Sequence, residues 1–236
     1  MSKLATFTRR ARFIYRTSGL MHLFRQGLAF LRQQLFEYET YYLYERPTEN
    51  ILKFSESDFI PKVDNYNLKV IATREEADEL EAQGFCLRAH VRNFDERLGK
   101  GAIAFCIFTG TELINIGWIA LNEEAKRSLW QPPFRVDFNN AESITGGAWT
   151  DPKYRNTGLM SYSLFKRLKF LNDLGIARDR AAVPKSNPSS VVGSSKFDSN
   201  VYAEGRYLRI LRFGFWRERP LPSPHTDPRI DLGIAS

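Results

Sequence analysis

The stretch "AWTDPKYRNTGLM", residues 148–160, decides how this chain is interpreted. In it Arg155 is followed by Asn156, Thr157 and Gly158, and an amphipathic pattern begins immediately afterwards. The first turn of a helix carries N–H groups that have no partner inside the helix and that point outward with the positive end of its dipole. A phosphate satisfies them, glycine lets it approach the backbone, and Asn156 and Thr157 can add side-chain donors. The alternative is an ordinary turn in which Gly158 relieves strain and Arg155 is solvated.

The residues on either side of this turn predict the elements that hold it. "ESITGGAWT", residues 142–150, predicts a strand in which Gly146 and Gly147 indicate a bulge or the close approach of another backbone. After the turn, a helix that ends at Gly175 is predicted. Its apolar face consists of Leu164, Phe165, Leu168, Leu171 and Leu174. Three basic residues are expected to lie off this face, namely Lys166, Arg167 and Lys169.

The wider order of elements predicts the fold class. Two almost continuously apolar runs flank residues 109–112 and predict a hairpin of central strands. Residues 38–47 and 68–72 predict two more strands, and a short helix follows whose capping box is Thr73 with Glu76. Beyond the long helix we expect a short buried strand, a weak helix, and a terminal hairpin or bent strand. The prediction is an α+β fold with a mixed, mostly antiparallel central sheet and flanking helices.

The charge of the chain is concentrated at its N-terminal end. Residues 1–36 contain seven Lys and Arg and no acid, and the whole chain of 236 residues carries +7, so the remainder is formally neutral. A nucleic-acid-binding domain would carry its basic footprint on the folded body, so no nucleic-acid partner is predicted. Leucines at helical spacing in this segment predict a basic amphipathic helical arm that contacts an anionic membrane surface. Packing on its own domain, or on a second subunit of a homodimer, is the alternative.

The cysteines and the apolar runs bear on the cellular compartment. Cys86 and Cys106 lie in apolar surroundings and are predicted to be reduced core thiols, which favours the cytoplasm. The apolar run at residues 102–108 is too short to span a bilayer, and no secretory signal is recognised. No His, Cys and Asp cluster has metal-ligand spacing, so no metal is predicted. The histidines, His22, His90 and His225, are expected to be surface or structural residues.

A resemblance to a known family adds a function to this interpretation. "TDPKYRNTGLM" resembles the acyl-CoA-binding motif of the GCN5-related N-acetyltransferases, Arg/Gln-x-x-Gly-x-Gly/Ala. The resemblance extends over roughly residues 68–215 and is close over residues 146–175. It implies an acyl-CoA N-acyltransferase-like fold in which acyl-CoA lies in a V-shaped cleft between two splayed parallel strands. These would be the strand that ends near Thr150 and the strand around residues 181–183.

The resemblance also implies which residues bind the co-substrate. Backbone amides of the turn would cradle the pyrophosphate and Arg155 would close that loop, while strand-edge groups and two residues after the next strand would meet the pantetheine arm. This set comprises Ala148, Trp149, Thr150, Arg155, Asn156, Thr157, Gly158, Leu159, Met160, Asn187 and Ser190. Met160 departs from the motif, which has Gly or Ala there. Since only its amide is needed, the resemblance requires that its side chain turns away.

The catalytic residues are predicted with alternatives. Many members of the family place a tyrosine near the position of Ser194 as general acid, but no tyrosine occurs between Asn187 and Asn200, so Tyr202, a serine or water would substitute. Glu142, at the start of the strand that leads to the cleft, is the candidate general base. Its alternative is a solvated strand-end carboxylate, and Asp137 is a weaker candidate for the base.

The resulting hypothesis has three domains and one activity. Residues 1–37 form the arm, residues 38–219 an acyltransferase-like domain and residues 220–236 a Pro-rich tail. The activity implied is an acyl-CoA-dependent N-acyltransferase that uses acetyl-CoA or another acyl-CoA to acylate an amine of a small molecule or sugar, such as an envelope or polysaccharide precursor. A non-catalytic acyl-CoA-binding module, and a membrane-surface adaptor that uses the arm, are the alternatives.

Overall fold

One eight-stranded sheet organises the chain. The structure, a computed structural model, describes residues 36–89, 91, 93–129, 132–211 and 213–221. The strands are β1 (Phe36–Pro47), β2 (Tyr66–Ile71), β3 (Ala102–Thr109), β4 (Glu112–Ala120), β5 (Glu142–Thr150), β6 (Arg178–Pro184), β7 (Asn200–Ile210) and β8 (Phe213–Pro220). Their order in the sheet is β2-β3-β4-β5-β6-β1-β7-β8. Every neighbouring pair is antiparallel except β5 with β6, which confirms the mixed, mostly antiparallel α+β fold.

Among the described residues, five α-helices flank the sheet. They are α1 (Arg74–Ala82), α2 (Phe94–Gly99), α3 (Glu123–Ser128), α4 (Leu159–Asp173) and α5 (Pro188–Ser194). The predicted capping box of α1 is confirmed, since Thr73 Oγ1 accepts from Glu76 N and the Glu76 carboxylate accepts from Thr73 N. The β3–β4 hairpin is also confirmed, with Gly110 at φ +55° in its turn, where a left-handed backbone favours glycine.

The two faces of the sheet carry separate hydrophobic layers. Side chains alternate between the faces along each strand, so neighbours such as Phe105 and Cys106 belong to different layers. Cys106 is buried as predicted, whereas Cys86 is exposed, so the expectation of a core thiol is wrong there. Phe105 and Ile119 pack against the apolar face of α4, which includes Leu164, Phe165, Leu168 and Leu171. The opposite layer contains Trp118 and receives buried residues from α1, α2 and α3. The long helix after the turn therefore covers one face of the strands that surround it.

Two expectations about α4 are wrong. Leu174 follows the last residue of the helix and is 52% exposed, so it is not part of the buried face. Arg167 is only 2% exposed although we expected it off that face. The reason lies on β4, where Gly117 has no side chain: a Cβ atom built there would lie 2.6 Å from Arg167 Cζ. The guanidinium occupies this space and donates from Nε to Ser163 O (3.2 Å) and from Nη1 to Trp118 O (3.4 Å).

The parallel strands β5 and β6 separate after a short contact. They pair only where residues 142–144 face residues 178–180. Beyond this point β6 continues to pair with β1, and β5 continues along β4 through a bulge. Gly147 lies in the bulge and has φ +59°. On either side of the bulge, Trp118 pairs with Gly146 and Ile116 pairs with Trp149. The predicted bulge and the predicted V-shaped opening between two parallel strands are both confirmed.

Some predictions fall outside the described part of the chain. Residues 1–35 of the predicted arm, the tail from residue 222, His22, His90 and His225 all lie there. The first strand, β1, begins at Phe36, inside the range assigned to the arm. Among the described residues, no helix combines the length and the apolar character needed to cross a membrane.

The Gly117–Arg167 contact predicts a stability effect. Gly117→Ala places a methyl group against the buried guanidinium, so we expect the free energy of unfolding to fall by about 1–3 kcal/mol. Denaturant unfolding monitored by circular dichroism measures this loss. In an Arg167→Met background the same change should cost less, because the opposing group is flexible and uncharged. An equal cost in both backgrounds would contradict the contact.

Candidate functional site

A large cleft opens where β5 leaves β6. Its volume is about 990 Å³, and it is bounded by the end of β5, the following turn, the first turn of α4, and α5. All eleven residues that the family resemblance assigned to the co-substrate line this cleft: Ala148, Trp149, Thr150, Arg155, Asn156, Thr157, Gly158, Leu159, Met160, Asn187 and Ser190. Residues from a distant segment also contribute, including Asp58, Phe59 and Lys62.

The N-terminus of α4 faces this cleft without a side-chain cap. Gly158 is the N-cap residue at φ +91°, and within the described part of the chain no side chain caps the N–H groups of the first turn. That turn also contains no acid, so the N–H groups of Leu159, Met160 and Ser161 keep their positive ends uncompensated within the helix. The hydroxyl of Thr157, a predicted side-chain donor, donates to Tyr154 O (2.6 Å) within the turn.

Among the described residues, three cationic side chains line the cleft. Arg155, Lys62 and Lys196 all line it, and within the described part of the chain no carboxylate lies within ion-pair distance of any of them. Asp58 also lines the cleft, but its carboxylate accepts from Ser55 N (3.2 Å) in a local capping box. The electrostatic potential of the cleft therefore suits an anion.

No sequence pattern indicated that Lys62 or Lys196 would line the cleft. Lys62 reaches the cleft because its backbone N–H donates to Thr157 O (2.7 Å), which ties a distant loop to the turn. Lys196 follows α5, and its Nζ donates to Ser161 Oγ (3.2 Å) in the first turn of α4. Both contacts join residues far apart in sequence, which local patterns cannot reveal.

The free edge of β5 forms one wall of the cleft. Among the described residues, the ladder between β5 and β6 ends at Ile144, so it does not use the backbone groups of Ala148, which line the cleft. The end of this edge is fixed by Asn115, whose Nδ2 donates to Trp149 O (3.2 Å) and to Thr150 Oγ1 (2.8 Å). A bound chain could therefore hydrogen-bond to a strand edge that is held in place.

A smaller cavity continues from the cleft into the angle between β5 and β6. We call it the apical cavity; its volume is about 210 Å³. Its lining comprises Arg46, residues 145–148, Met160, Leu164, Arg167, residues 181–184, Asn187, Ser190 and Ser194. Ala148, Met160, Asn187 and Ser190 line both spaces, so the cavity opens directly into the cleft.

Asn187 and Met160 stand at this opening. Asn187 is the N-cap of α5, where its Oδ1 accepts from Ser190 N (3.2 Å) and its amide NH2 group is left for other partners. The Met160 side chain does not turn away from the cleft: its Cγ would lie 3.9 Å from a Cβ built on Gly193. Met160 therefore forms part of the wall between α4 and α5, and a ligand would pass beside it.

Glu142 and Tyr202, the two predicted catalytic residues, are not among the described residues that line the cleft. Glu142 is 7% exposed at the start of β5, where Arg180 Nη2 donates to its Oε1 (2.7 Å) and Asp137 N donates to its Oε2 (2.9 Å). Burial disfavours its charge, but these hydrogen bonds outweigh burial and lower the pKa of Glu142. Asp137 itself accepts from Asn140 Nδ2 (2.7 Å). Glu142 is therefore a buried ion-pair partner, and its role as base stays a prediction.

Tyr202 belongs to the same cluster as Glu142. Arg180 Cζ lies 4.7 Å from the centroid of the Tyr202 ring. Burial raises the pKa of Tyr202 to about 12, against the opposing charge of Arg180, so the phenol is protonated at neutral pH. Its role as acid also stays a prediction. At the position where the family often has a tyrosine, Ser194 is buried and its carbonyl accepts from Ser199 Oγ (2.5 Å).

Arg97 lies beside the bulge from another element, and the sequence analysis did not single it out. A Cβ built on Gly147 would lie 3.3 Å from Arg97 Nη1. The guanidinium is 5.1 Å from the centroid of the Trp118 ring, and its Nε is buried without a hydrogen-bond partner among the described residues. Burial lowers the pKa of Arg97. Arg97 therefore places a cation beside the bulge at which β5 separates from β6.

Comparisons with known proteins give distant structural similarities. No protein-family model matches this chain, and no curated protein matches it. A protein from Drosophila is similar at 11% identity and a TM-score of 0.46, over 79% of this chain and 56% of that chain. A GCN5-related N-acetyltransferase from Kribbella flavida is similar at 12% identity and a TM-score of 0.39, over 66% of this chain and 54% of that chain. A tandem GNAT protein from the clavulanic acid biosynthesis pathway is similar at 14% identity and a TM-score of 0.46, over 84% of this chain and 59% of that chain. The chain spans less than two thirds of each of these structures.

The buried Glu142–Arg180 pair predicts a pH-dependent stability effect. Because the folded state lowers the pKa of Glu142, the carboxylate stabilises the fold above its unfolded pKa of about 4.3 and loses this contribution as the pH falls through the folded value. Glu142→Gln should lower the free energy of unfolding at pH 7 by about 1.5–3 kcal/mol. The difference from the natural chain should shrink at pH 4 in denaturant titrations.

Glu96→Gln is the matched control, because it removes an exposed carboxylate paired with Lys100 in the same turn of helix. It should change stability less than Glu142→Gln does. A Glu142→Gln effect as small as that of the control, or one that grows towards low pH, would contradict the assigned pair.

Proposed function

We propose that this chain is an acyl-CoA-dependent N-acyltransferase that acylates an amine of a small molecule or sugar. The observation that carries the proposal is the uncapped N-terminus of α4, which faces a cleft between two separating parallel strands. Helix N-termini bind phosphates through free N–H groups and the helix dipole. A helix start of this kind beside an open strand edge fits a molecule with a phosphate group and an amide-bearing arm.

The parts of acyl-CoA match the parts of the cleft. The pyrophosphate would be bound by the amides of Leu159 and Met160 and by Arg155, with Lys62 and Lys196 adding charge. The two amides of the pantetheine arm would hydrogen-bond to backbone groups of β5 around Ala148, beyond the end of the β5–β6 ladder. A cleft of about 990 Å³ is at the upper end of the size of ligand sites, as an extended co-substrate requires.

The arrangement supports direct transfer to an amine. The thioester carbonyl would lie near the bulge, where a backbone N–H of β5 can stabilise the oxyanion of the tetrahedral intermediate. The amine nitrogen forms a bond to the carbonyl carbon, the C–S bond breaks, and the amine proton passes through water to the CoA thiolate. Glu142 is bound to Arg180 outside the cleft lining, so water serves as the proton carrier in this proposal.

The positions of the predicted catalytic residues support a second candidate function. Glu142 and Tyr202 cluster around Arg180 and do not line the cleft, which favours a module that binds acyl-CoA without turnover. Release of free thiol from acyl-CoA in the presence of a panel of small amines and amino sugars separates the two candidates. Amine-dependent thiol release supports the transferase. Tight CoA binding with no release for any amine supports the binding module.

Arg155 is expected to contribute to CoA affinity. Arg155→Ala removes a cation from the pyrophosphate end of the cleft, and we expect the dissociation constant of CoA to rise by about tenfold or more. Calorimetric titration with CoA measures the change.

The matched control is Lys153→Ala, which removes an exposed cation from the same turn but does not alter the cleft lining. Its CoA affinity should stay close to that of the natural chain. Equal affinities in the Arg155→Ala and Lys153→Ala variants would overturn the assigned pyrophosphate site.

A further inference from the structure

The lining of the apical cavity includes an uncompensated positive charge. Arg46 and Arg167 are 1% and 2% exposed, and Asp179 is fully buried between them and Thr145. The Asp179 carboxylate is already engaged, because it accepts from Arg46 Nη1 (2.5 Å) and from Thr145 Oγ1 (2.9 Å). Two guanidinium groups therefore share one carboxylate, and the cluster has a formal charge of +1.

Arg167 is the cation without its own counterion. Within the described part of the chain its hydrogen bonds go to two backbone carbonyls, Ser163 O and Trp118 O. Carbonyl dipoles solvate a cation but do not neutralise it, and a buried charge without an opposite charge is costly. Burial lowers the pKa of Arg167 to about 10, so the side chain remains charged at neutral pH. A ligand anion would supply the missing charge.

The space that the Arg167 guanidinium occupies exists because position 117 is a glycine. Gly117 lies in the central strand β4, between Ile116 and Trp118, and a Cβ there would overlap the Arg167 guanidinium. A glycine in a strand interior weakens the strand and often marks the close approach of another group. The position of Arg167 is thus fixed by two elements, α4 and β4, which is typical of a preorganised binding site.

The lining of the apical cavity combines apolar and cationic side chains. Met160, Leu164, Ala181 and Val183 are apolar, whereas Arg46 and Arg167 are cationic, and Arg46 Nη1 donates to Thr145 Oγ1 (3.2 Å). Thr145 precedes Gly147 by two residues, which is about 7 Å of extended strand. This distance matches a short methylene chain that ends in a hydrogen-bonded carboxylate.

We propose that the apical cavity binds the acyl group of the thioester and that this group ends in a carboxylate, as in a four- or five-carbon dicarboxylic acyl-CoA. Its methylenes contact the apolar walls and its carboxylate binds Arg167, with Arg46 as the second cation. The inference rests on the proposed function, since the thioester must lie in the adjoining cleft. In the reaction the amine nitrogen bonds to the thioester carbon, the thiol leaves with a proton, and the terminal carboxylate is unchanged.

The test compares two thioesters that differ at the chain end. Succinyl-CoA and butyryl-CoA have four-carbon acyl groups, but only succinyl carries a terminal carboxylate. We expect the natural chain to bind succinyl-CoA about tenfold or more tightly than butyryl-CoA in calorimetric titrations. Arg167→Met should bring the ratio of the two affinities close to one, and Arg167→Lys should retain a preference for succinyl-CoA.

The control and the contrary outcomes are defined by the same titrations. Lys169→Met removes an exposed cation from the same helix and should keep the preference of the natural chain. Equal binding of the two thioesters by the natural chain, or a preference for butyryl-CoA, overturns the inference even if Arg167 variants do not fold. So does a succinyl preference that survives Arg167→Met. If the natural chain binds neither thioester nor CoA, the proposed function itself fails.

Discussion

The short parallel contact between β5 and β6 is the constraint on which the rest of the site depends. Three residues of each strand pair, and the bulge at Gly147 then directs β5 along β4 while β6 stays with β1. Backbone groups that a longer parallel ladder would have used are left without a strand partner. Because α4 begins just beyond the end of β5, its free N–H groups face the same opening. The cleft, the apical cavity and the uncapped helix start therefore have one structural origin.

Local chemistry made a large part of this arrangement predictable. The capping box of α1, the β3–β4 hairpin, the bulge in β5 and the start of α4 each follow from a few neighbouring residues, and all are present. The fold class follows from the order of these elements. The residues that line the cleft from β5 through the first turn of α4 are contiguous in sequence, which is why a motif could identify them.

The remainder of the site depends on contacts between distant segments. Lys62 reaches the cleft through a hydrogen bond to Thr157, and Arg46 reaches the apical cavity from β1. Helical periodicity predicted that Arg167 lies off the apolar face of α4, but the missing side chain at Gly117 allows the guanidinium to be buried against β4. Glu142 was singled out for its place near the cleft in sequence, whereas its contacts are with Arg180 on the neighbouring strand. Hydrophobic periodicity and motif spacing do not reveal such contacts between residues that are distant in sequence.

The contact between Gly117 and Arg167 also constrains how this protein can evolve. A side chain cannot be added to β4 at this position while the arginine is in place, and the loss of the arginine would leave a gap above a bare strand. Each residue is acceptable because the other is present. In descendants of this chain the two positions should therefore be inherited together, and a change at one should be accompanied by a change at the other.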